Sequence, residues 1–310
     1  MEQTARHEMK QAAAKAPWMG QQEAAEAVLK MERLQLALME TDNNGTLHQR
    51  HPLSPLFKNV TLIEAYCECL RDRRSEYWRT GSTGRFHEPL LETDSAFKAG
   101  FVYKPDSNEV RVSPATIQFV STISQRLDAV SVPFFLGEVL RGMFSAMSIL
   151  GSTVDSNGDL HQWWSSETKE RFMKRAKCFQ NSFADAAILY VKEGLRDESL
   201  FMEDNVVDGA VLRPLYNIHE RLARESPMGD FIQGLPRDLD PKKLFFINWA
   251  STFCEPEQNE TAVRERLRFK MSVASRIRLN VALSQFPPFS GAFSCPAGSA
   301  MNQSKACSFW

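Results

Sequence analysis

The stretch FFLGEVLRGMFSAMSILG, residues 134–151, predicts a buried helix at the centre of the fold. Pro133 stands just before it, where the missing N–H of proline costs a helix least. The other face is small or polar and includes Gly137 and Gly142, each costing about 1 kcal/mol relative to alanine inside a helix. We therefore expect either close packing of another element on this smooth face, or a face that once lined a functional site. The apolar residues recur at helical spacing and form one stripe: Leu136, Val139, Leu140, Met143, Met147 and Leu150.

The segments around this helix predict a chain that is mainly α with a small β-sheet. KAGFVYKPDSNEVRVSP (98–114) reads as a short hairpin, because two β-rich runs flank a Pro-Asp-Ser-Asn turn. DSNGDLHQWW (155–164) is a polar turn that leads into a helix ending near residue 195. The end of the chain is rich in proline and cysteine and is expected to be irregular. Further helices are predicted over residues 9–41, 60–78, 204–226 and 241–254.

The composition excludes several classes of protein. The 310 residues carry 37 basic and 38 acidic side chains, a net charge of −1, which predicts no nucleic-acid partner and no anionic membrane surface. No stretch approaches the ~20 apolar residues of a transmembrane helix. The first 20 residues are charged and rich in alanine, so we expect no signal peptide in this sequence.

Cysteines and glycosylation patterns point to an exported glycoprotein instead. No Cys-x-x-Cys pair occurs among cysteines 67, 69, 178, 254, 295 and 307, which disfavours a zinc knuckle or a thioredoxin-like site. The Asn-x-Ser/Thr acceptor pattern occurs at Asn44, Asn59, Asn259 and Asn302.

The last 32 residues carry a specific resemblance. LNVALSQFPPFSGAFSCPAGSAMNQSKACSFW (279–310) contains Leu-Ser, Phe-x-x-Ala-Phe-x-Cys, Met-Asn and a terminal Cys-x-x-Trp, in that order. This pattern resembles the closing segment of the neprilysin and endothelin-converting-enzyme family of zinc metallopeptidases. KKLFFINWASTFC (242–254), SNGDLHQWW (156–164) and PWMGQQEAAEAVLKMERL (17–34) are similar to other family segments. The similarity therefore covers about residues 15–310.

The resemblance implies a zincin, thermolysin-like catalytic-domain fold stabilised by disulfides. Such a domain holds zinc with His-Glu-x-x-His on one helix, whose glutamate is the general base, and with a glutamate from Glu-Asn-x-x-Asp on a later helix. It also implies that residues 1–310 are the C-terminal peptidase-type portion of a longer protein, with an upstream helical segment (1–50) and a degenerate catalytic core (51–310). By the same resemblance, we expect the lid domain and the membrane anchor of the family to be absent from this sequence, and the location to be extracellular or membrane-associated.

The expected zinc helix contains no zinc ligand. The best match of residues 136–150 to the family pattern puts Gly142 at the first histidine, Met143 at the general base and Ala146 at the second histidine. A shifted register puts Gly137, Glu138 and Arg141 there and keeps only the glutamate. In either case no histidine is present, since the six histidines (7, 48, 51, 87, 161 and 219) include no pair four residues apart.

Other functional positions have changed in the same way. Asp204 stands for the glutamate that is the third ligand, and Asp208 matches the aspartate behind the metal; a helix cap at Asp204 and an ion pair at Asp208 are the alternative reading. Ser272 replaces the histidine that donates to the transition state. Tyr103 remains from the substrate-binding Asn-Ala-x-Tyr, and Arg278 matches the substrate arginine. The sequence thus predicts that the family zinc site is lost and that no cofactor is bound.

The resemblance also implies a disulfide between Cys178 and Cys307. Cys254 and Cys295 match cysteines that reach partners in the N-terminal half of family members, so they are expected as free thiols, as a pair with each other, or as marks of an incomplete chain. Cys67 and Cys69 have no recognised counterpart, and their pairing stays open.

These observations predict a pseudoenzyme: a non-catalytic homologue of neprilysin-type metalloendopeptidases with a peptide-binding, decoy or scaffold role. Its expected partners are peptides or a secreted or membrane-bound family protein. Two alternatives stay open. One is a working metalloendopeptidase with a rearranged site that carries out proteolysis, and the other is a truncated, non-functional product.

Overall fold

A computed structural model describes residues 2–38, 100–113, 132–191, 202–225, 239–255 and 274–310, with a few positions between residues 61 and 118. Eight α-helices and three strands lie in these ranges, which confirms a mainly α fold with a small sheet. The helices are α1 (Glu2–Ala14), α2 (Gln21–Arg33), α3 (Gly137–Ser145), α4 (Ser166–Val191), α5 (Met202–Glu225), α6 (Pro241–Ser251), α7 (Ser275–Ser284) and α8 (Pro287–Ala292). The strands are β1 (Gln35–Leu38), β2 (Phe101–Lys104) and β3 (Glu109–Val112).

The sheet confirms the predicted hairpin and adds a third strand to it. β2 pairs antiparallel with β3, with Val102 opposite Arg111, across a turn in which Asn108 takes a positive φ of 46°. β1 pairs parallel with β3, so the strand order is β1-β3-β2 and β2 lies at an edge. The prediction of one helix over residues 9–41 is wrong. Two helices and a strand occupy its described part, because Pro17 and Gly20 end the first helical pattern and restart the second.

The central helix is shorter than the predicted 134–151. A π-helical turn, Val132–Leu136, precedes α3, which ends at Ser145. Serine hydroxyls compete with the helical ladder beyond that point: Ser148 donates to the Ser145 carbonyl and Ser152 to the Ile149 carbonyl. Gly151 then lets the chain pass so close to the Ala146 carbonyl that a Cβ there would lie 2.1 Å from its oxygen.

Helix α3 lies at the centre of one hydrophobic core. It packs against α5 on one side, α1 on another, and the sheet on the side that carries Gly142. The buried α3 residues Val139, Leu140, Met143 and Phe144 belong to the same core as Ala5 and Met9 of α1. Within the described residues, no helix has the length and apolar character needed to cross a bilayer.

The C-terminal residue is built into this core. The aromatic residues of three motifs pack on one another around Trp18, Trp164 and Phe309, with ring centroids 5.3 to 5.4 Å from Trp18. The indole N–H of Trp310 donates to the Ala210 carbonyl at 2.6 Å. That carbonyl lacks its usual helical donor because Pro214, four residues later in α5, has no N–H.

The last third of the chain is more regular than expected. An irregular end was predicted, but α7 and α8 occupy residues 275–292, with prolines at the start of α8, where they are tolerated. The predicted Cys178–Cys307 disulfide is confirmed; it joins α4 to the C-terminus across 129 residues of sequence. Cys254, Cys295 and Cys67 are free thiols, so Cys254 and Cys295 do not pair with each other. Cys69 lies outside the described residues.

Lys30 is a fully buried lysine that joins α2 to the segment after α3. Its ammonium donates to the carbonyls of Gly151 and Val154 at 2.5 Å and lies 5.8 Å from the ring centroids of both Tyr103 and Trp163. Burial lowers the pKa of Lys30 from 10.5 to about 8, and nearby Glu26 and Asp155 act in the opposite direction. The protein therefore folds around an amine that sheds its proton more easily than in the unfolded chain.

We expect Lys30 to make stability depend on pH above neutrality. Its pKa is lower in the folded than in the unfolded state, so the free energy of unfolding should rise between pH 8 and pH 10, by up to about 1.4 kcal/mol per pH unit. Chemical denaturation of wild type and Lys30→Met across this range measures the difference. Lys15→Met, at an exposed lysine, is the control. Parallel pH profiles for wild type and Lys30→Met would contradict the expectation.

The hydrogen bond between the Trp310 indole and the Ala210 carbonyl should contribute to stability. Trp310→Phe removes the indole N–H and leaves the buried Ala210 carbonyl without a donor, so we expect a loss of about 1–3 kcal/mol. The same substitution in a Pro214→Ala background should cost less, because alanine restores a backbone N–H within α5. Denaturant unfolding of the four proteins measures this coupling. Equal costs in both backgrounds would show that Trp310 acts only through the packing of its ring.

Candidate functional site

The polar face of α3 meets a buried carboxylate of α5. Asp208 is fully buried, at 0% exposure, and accepts contacts from two arginines. Arg278 of α7 binds it through two nitrogens, with Nε 2.7 Å from Oδ2 and Nη2 3.0 Å from Oδ1. Arg141 of α3 places Nη1 2.6 Å from the same Oδ1. Three helices are thus joined through one carboxylate, and we call these three residues the Asp208 cluster.

An aromatic ring and a second acidic residue border this cluster. The Phe253 ring, just after α6, lies 5.0 Å from the Arg141 guanidinium carbon and 5.5 Å from that of Arg278. Such contacts favour a desolvated cation. Glu138, one turn before Arg141, has its carboxylate 3.8 Å from Arg141 Nε. Burial raises the pKa of the Glu138 carboxyl; the charge on Asp208 adds to the rise, while both arginines oppose it.

Gly142 of α3 packs on the sheet and Gly137 on Leu215 of α5, which confirms the close-packing expectation. A Cβ built on Gly142 would lie 2.6 Å from a Val110 methyl group of β3 and 3.1 Å from the Phe101 ring of β2. Real Cβ atoms do not approach other atoms as closely as 2.6 Å. The space beside residue 142 therefore holds no further side chain, least of all a glutamate able to position water.

The other predicted positions on α3 are buried among apolar side chains. Met143 and Ala146 are both in the hydrophobic core at 0% exposure, and neither side chain offers a metal a lone pair of the kind zinc takes from imidazole. Ser145 is half-buried, and its hydroxyl donates to the Arg141 carbonyl at 3.0 Å.

Tyr103 and Arg278 lie in different surroundings. The Tyr103 ring is buried beneath Lys30, and its hydroxyl donates to Asn108 at 3.2 Å. Burial raises the pKa of this phenol, as does the nearby charge on Asp106. Arg278 is instead half-buried and bound to Asp208. The structure therefore brings Arg278 and Asp208 together and keeps Tyr103 on a separate network.

The remaining predicted residues lie outside the Asp208 cluster or outside the described residues. The backbone of Asp204 lies in the first turn of α5. Among the glycosylation candidates, Asn302 donates its side-chain N–H to the Cys295 carbonyl at 2.8 Å. Ser272, Asn44, Asn59 and Asn259 lie outside the described residues.

The residues present do not fit a catalytic zinc. Such a zinc takes three protein ligands, usually including imidazoles. Helix α3 carries none, and the carboxylate of Asp208 is bound to two guanidinium groups. Of the histidines, His219 of α5 stacks on Phe245 at 4.8 Å between centroids. Across the described ranges, no group of three or more His, Cys, Asp or Glu is arranged to hold a metal ion.

The sequence did not predict the buried contacts of Arg141, Phe253 and Lys30. Arg141 appeared only in the shifted register, although an arginine three residues after Glu138 on the bare face of a buried helix needs an anion. Asp208 gave the matching signal, since a carboxylate that follows two valines in a buried helix needs a cation. Phe253 carried no signal, because only the packing of α6 brings it over the guanidinium groups.

Comparison with known proteins identifies the surrounding scaffold. The sequence profile of peptidase family M13 matches residues 143–309. Neprilysin-21 of Caenorhabditis elegans is 24% identical over 239 residues, which cover 73% of this chain and 31% of that protein. Membrane metallo-endopeptidase-like 1 of Mus musculus is 25% identical over 213 residues, or 67% and 27% of the two chains. The chain thus spans less than a third of the length of these relatives.

A solved structure supports the same fold. The crystal structure of the Mycobacterium tuberculosis zinc metalloprotease ZMP1, in complex with an inhibitor, matches with a TM-score of 0.71 at 16% sequence identity. The match covers all of this chain and 46% of that one. The predicted zincin fold is confirmed.

The contact between α3 and the sheet gives a testable prediction. Gly142→Ala would push a methyl group into Val110 and Phe101, so we expect a loss of roughly 1–3 kcal/mol in the free energy of unfolding, the usual cost of overpacking. Gly291→Ala in α8 is the matched control, since a Cβ there meets nothing within 4 Å, and it should be neutral or stabilising. Thermal and denaturant melts of both variants measure the contrast. A neutral Gly142→Ala would mean that α3 and the sheet are not in close contact.

Proposed function

Since this chain belongs to peptidase family M13, we propose that it is a non-catalytic homologue of the neprilysin-type metalloendopeptidases that binds peptides without cleaving them. One observation carries the proposal. On α3, which matches the zinc helix of the family, the Arg141 guanidinium group forms an ion pair with Asp208. A catalytic zinc polarises the substrate carbonyl and lowers the pKa of bound water, and it must be held by ligands that offer lone pairs. A guanidinium group offers no lone pair to a metal.

Loss of the base is a separate argument for a non-catalytic role. In the two registers in which α3 matches the family pattern, the residue next to the first ligand position is Met143 or Glu138. The Met143 side chain cannot accept a proton. Glu138 could accept one, but its carboxylate faces Arg141, and its raised pKa reflects burial. Restoring a metal alone would therefore not restore hydrolysis.

Peptide binding is supported by the outer edge of β2, which is unpaired among the described strands. Within the described residues, no strand pairs with the outer edge of β2. The Ser113 N–H donates to the Gly100 carbonyl, so Gly100 bonds toward β3. In an antiparallel pair, every second residue of a strand bonds to its neighbour, so the backbone N–H and C=O groups of Phe101 and Tyr103 point away from β3. An extended peptide can add to such an edge as a further strand.

The proposed setting is extracellular or membrane-associated, with secreted peptides as ligands. Support comes from the Cys178–Cys307 disulfide, which persists in oxidising compartments, and from the relative that is named a membrane metallo-endopeptidase. We further propose residues 1–50 as an upstream helical segment and residues 51–310 as a degenerate catalytic core. A glycoprotein with sugars at one or more of the four acceptor asparagines fits this setting.

Three measurements on the purified protein test the proposal together. We expect less than 0.1 zinc per chain by elemental analysis, and no cleavage of a fluorescein-labelled random hexapeptide pool by mass spectrometry. We expect saturable binding of the same pool by fluorescence anisotropy. Phe101→Pro removes one outward N–H and should weaken binding roughly 3- to 10-fold, the value of about one hydrogen bond, relative to Phe101→Ala.

Each other outcome identifies an alternative. Stoichiometric zinc, together with cleavage that a chelator abolishes, would mean a working metalloendopeptidase with a rearranged site. Absence of binding by a protein that melts cooperatively would favour a scaffold role. A chain that does not melt cooperatively would favour a non-functional product. Equal binding by Phe101→Pro and Phe101→Ala would mean that the peptide does not bind along the edge of β2.

A further inference from the structure

The neutralisation of Asp208 carries an inference that is independent of peptide binding. A carboxylate at 0% exposure cannot remain charged without a partner, because transfer of an isolated ion from water to the protein interior is strongly unfavourable. In zinc sites such a carboxylate typically accepts the second ring N–H of a metal-bound imidazole. Here the α3 residue that reaches Asp208 is Arg141.

The direction of each side chain fixes the register of the lost site. Arg141 contacts Asp208, whereas Gly142 faces Val110 and Met143 enters the apolar core. Ser145 lies one turn after Arg141, on the same face, and its hydroxyl bonds to the Arg141 carbonyl. The positions one helical turn apart that look toward α5 are therefore 141 and 145, one residue earlier than the pair 142 and 146.

We propose that Arg141 stands at the position of the first zinc ligand and is a tethered cation that replaces both the imidazole and the metal. Its guanidinium group provides the N–H that the imidazole would direct at Asp208, together with the positive charge that the metal would bring. The vacated base and second-ligand positions are then Gly142 and Ser145.

Two features of the site fit this substitution. The Phe253 ring lies over both guanidinium groups, so the cations are held in a desolvated place where a hydrated metal ion would not stay. Two fixed positive charges at Asp208 also repel a divalent cation. The protein consequently folds without a metal, and zinc cannot enter this site while Arg141 remains.

A double-mutant cycle tests the electrostatic part. Arg141→Met keeps much of the side-chain volume and removes the charge, while Asp208→Asn keeps the shape of the carboxylate. We expect each single variant to lower the Tm, by on the order of 10 °C for the loss of one member of a buried pair. The double variant should lose clearly less than the sum, because Arg141 and Asp208 contact each other directly and each single change already removes that contact.

The exposed pair Lys10 and Glu32 is the matched control, and Lys10→Met should change the Tm little. The proposal fails if Arg141→Met is as mild as Lys10→Met, or if the losses at Arg141 and Asp208 add fully.

Zinc titration tests the register. Arg141→His with Ser145→His should bind one Zn²⁺ per chain, seen by competition with a chromogenic chelator and by a zinc-dependent rise in Tm. Each single histidine variant is a control that supplies one imidazole and should not bind stoichiometrically. Adding Asp208→Asn to the double variant should weaken zinc binding about 10- to 100-fold, as loss of a carboxylate behind a metal-bound imidazole does.

The two proposals fail in different ways. If wild type itself binds zinc and cleaves peptides, the non-catalytic function is wrong. If wild type is inert and the folded 141/145 double variant binds no zinc, or Asp208→Asn leaves its zinc affinity unchanged, the assignment of Arg141 to the ligand position is wrong while the non-catalytic function stands.

Discussion

A buried negative charge must be neutralised where it lies, and in this protein that requirement joins the three helices around Asp208. The carboxylate lies on α5 at no exposure, and the arginines that neutralise it come from α3 and α7. A buried charge without a partner is costly. The helices α3, α5 and α7 must therefore stay close enough for both arginines to reach Asp208. The arrangement places two protein cations around one buried carboxylate.

The aromatic motifs of this chain and the positions expected to bind zinc differ in what surrounds them. The tryptophans of the Trp-Met, Trp-Trp and C-terminal segments meet in one aromatic cluster, where a change would open a cavity. The positions expected to hold zinc carry other residues that pack into the fold: Met143 and Ala146 lie in the core, Gly142 contacts the sheet, and Arg141 pairs with Asp208. Because function depends on the residues of a site and not on the scaffold that carries it, the fold alone does not establish peptidase activity.

Two further contacts tie distant parts of the chain to this core. The indole of Trp310 satisfies a carbonyl that Pro214 leaves without a donor, so the end of the chain stabilises the middle of α5. The Lys30 ammonium does the same for two carbonyls after α3. In both cases a local break in a helical pattern is compensated by a side chain from more than ninety residues away, which no local pattern could have predicted.

The sequence by itself determined the class of fold, the hairpin, the Cys178–Cys307 disulfide implied by the family resemblance, and the absence of a histidine pair one helical turn apart. These follow from period, turn chemistry and residue type, which act locally or are fixed by motif order. Tertiary structure decided that Arg141 faces Asp208, that Gly142 faces the sheet, and that Tyr103 packs beneath Lys30 instead of lining a cleft with Arg278. A helix can be read from its spacing, but the partner of each face depends on which other helices and strands pack against it. For α3, the face that carries Arg141 meets Asp208 of α5, and the face that carries Gly142 meets the sheet.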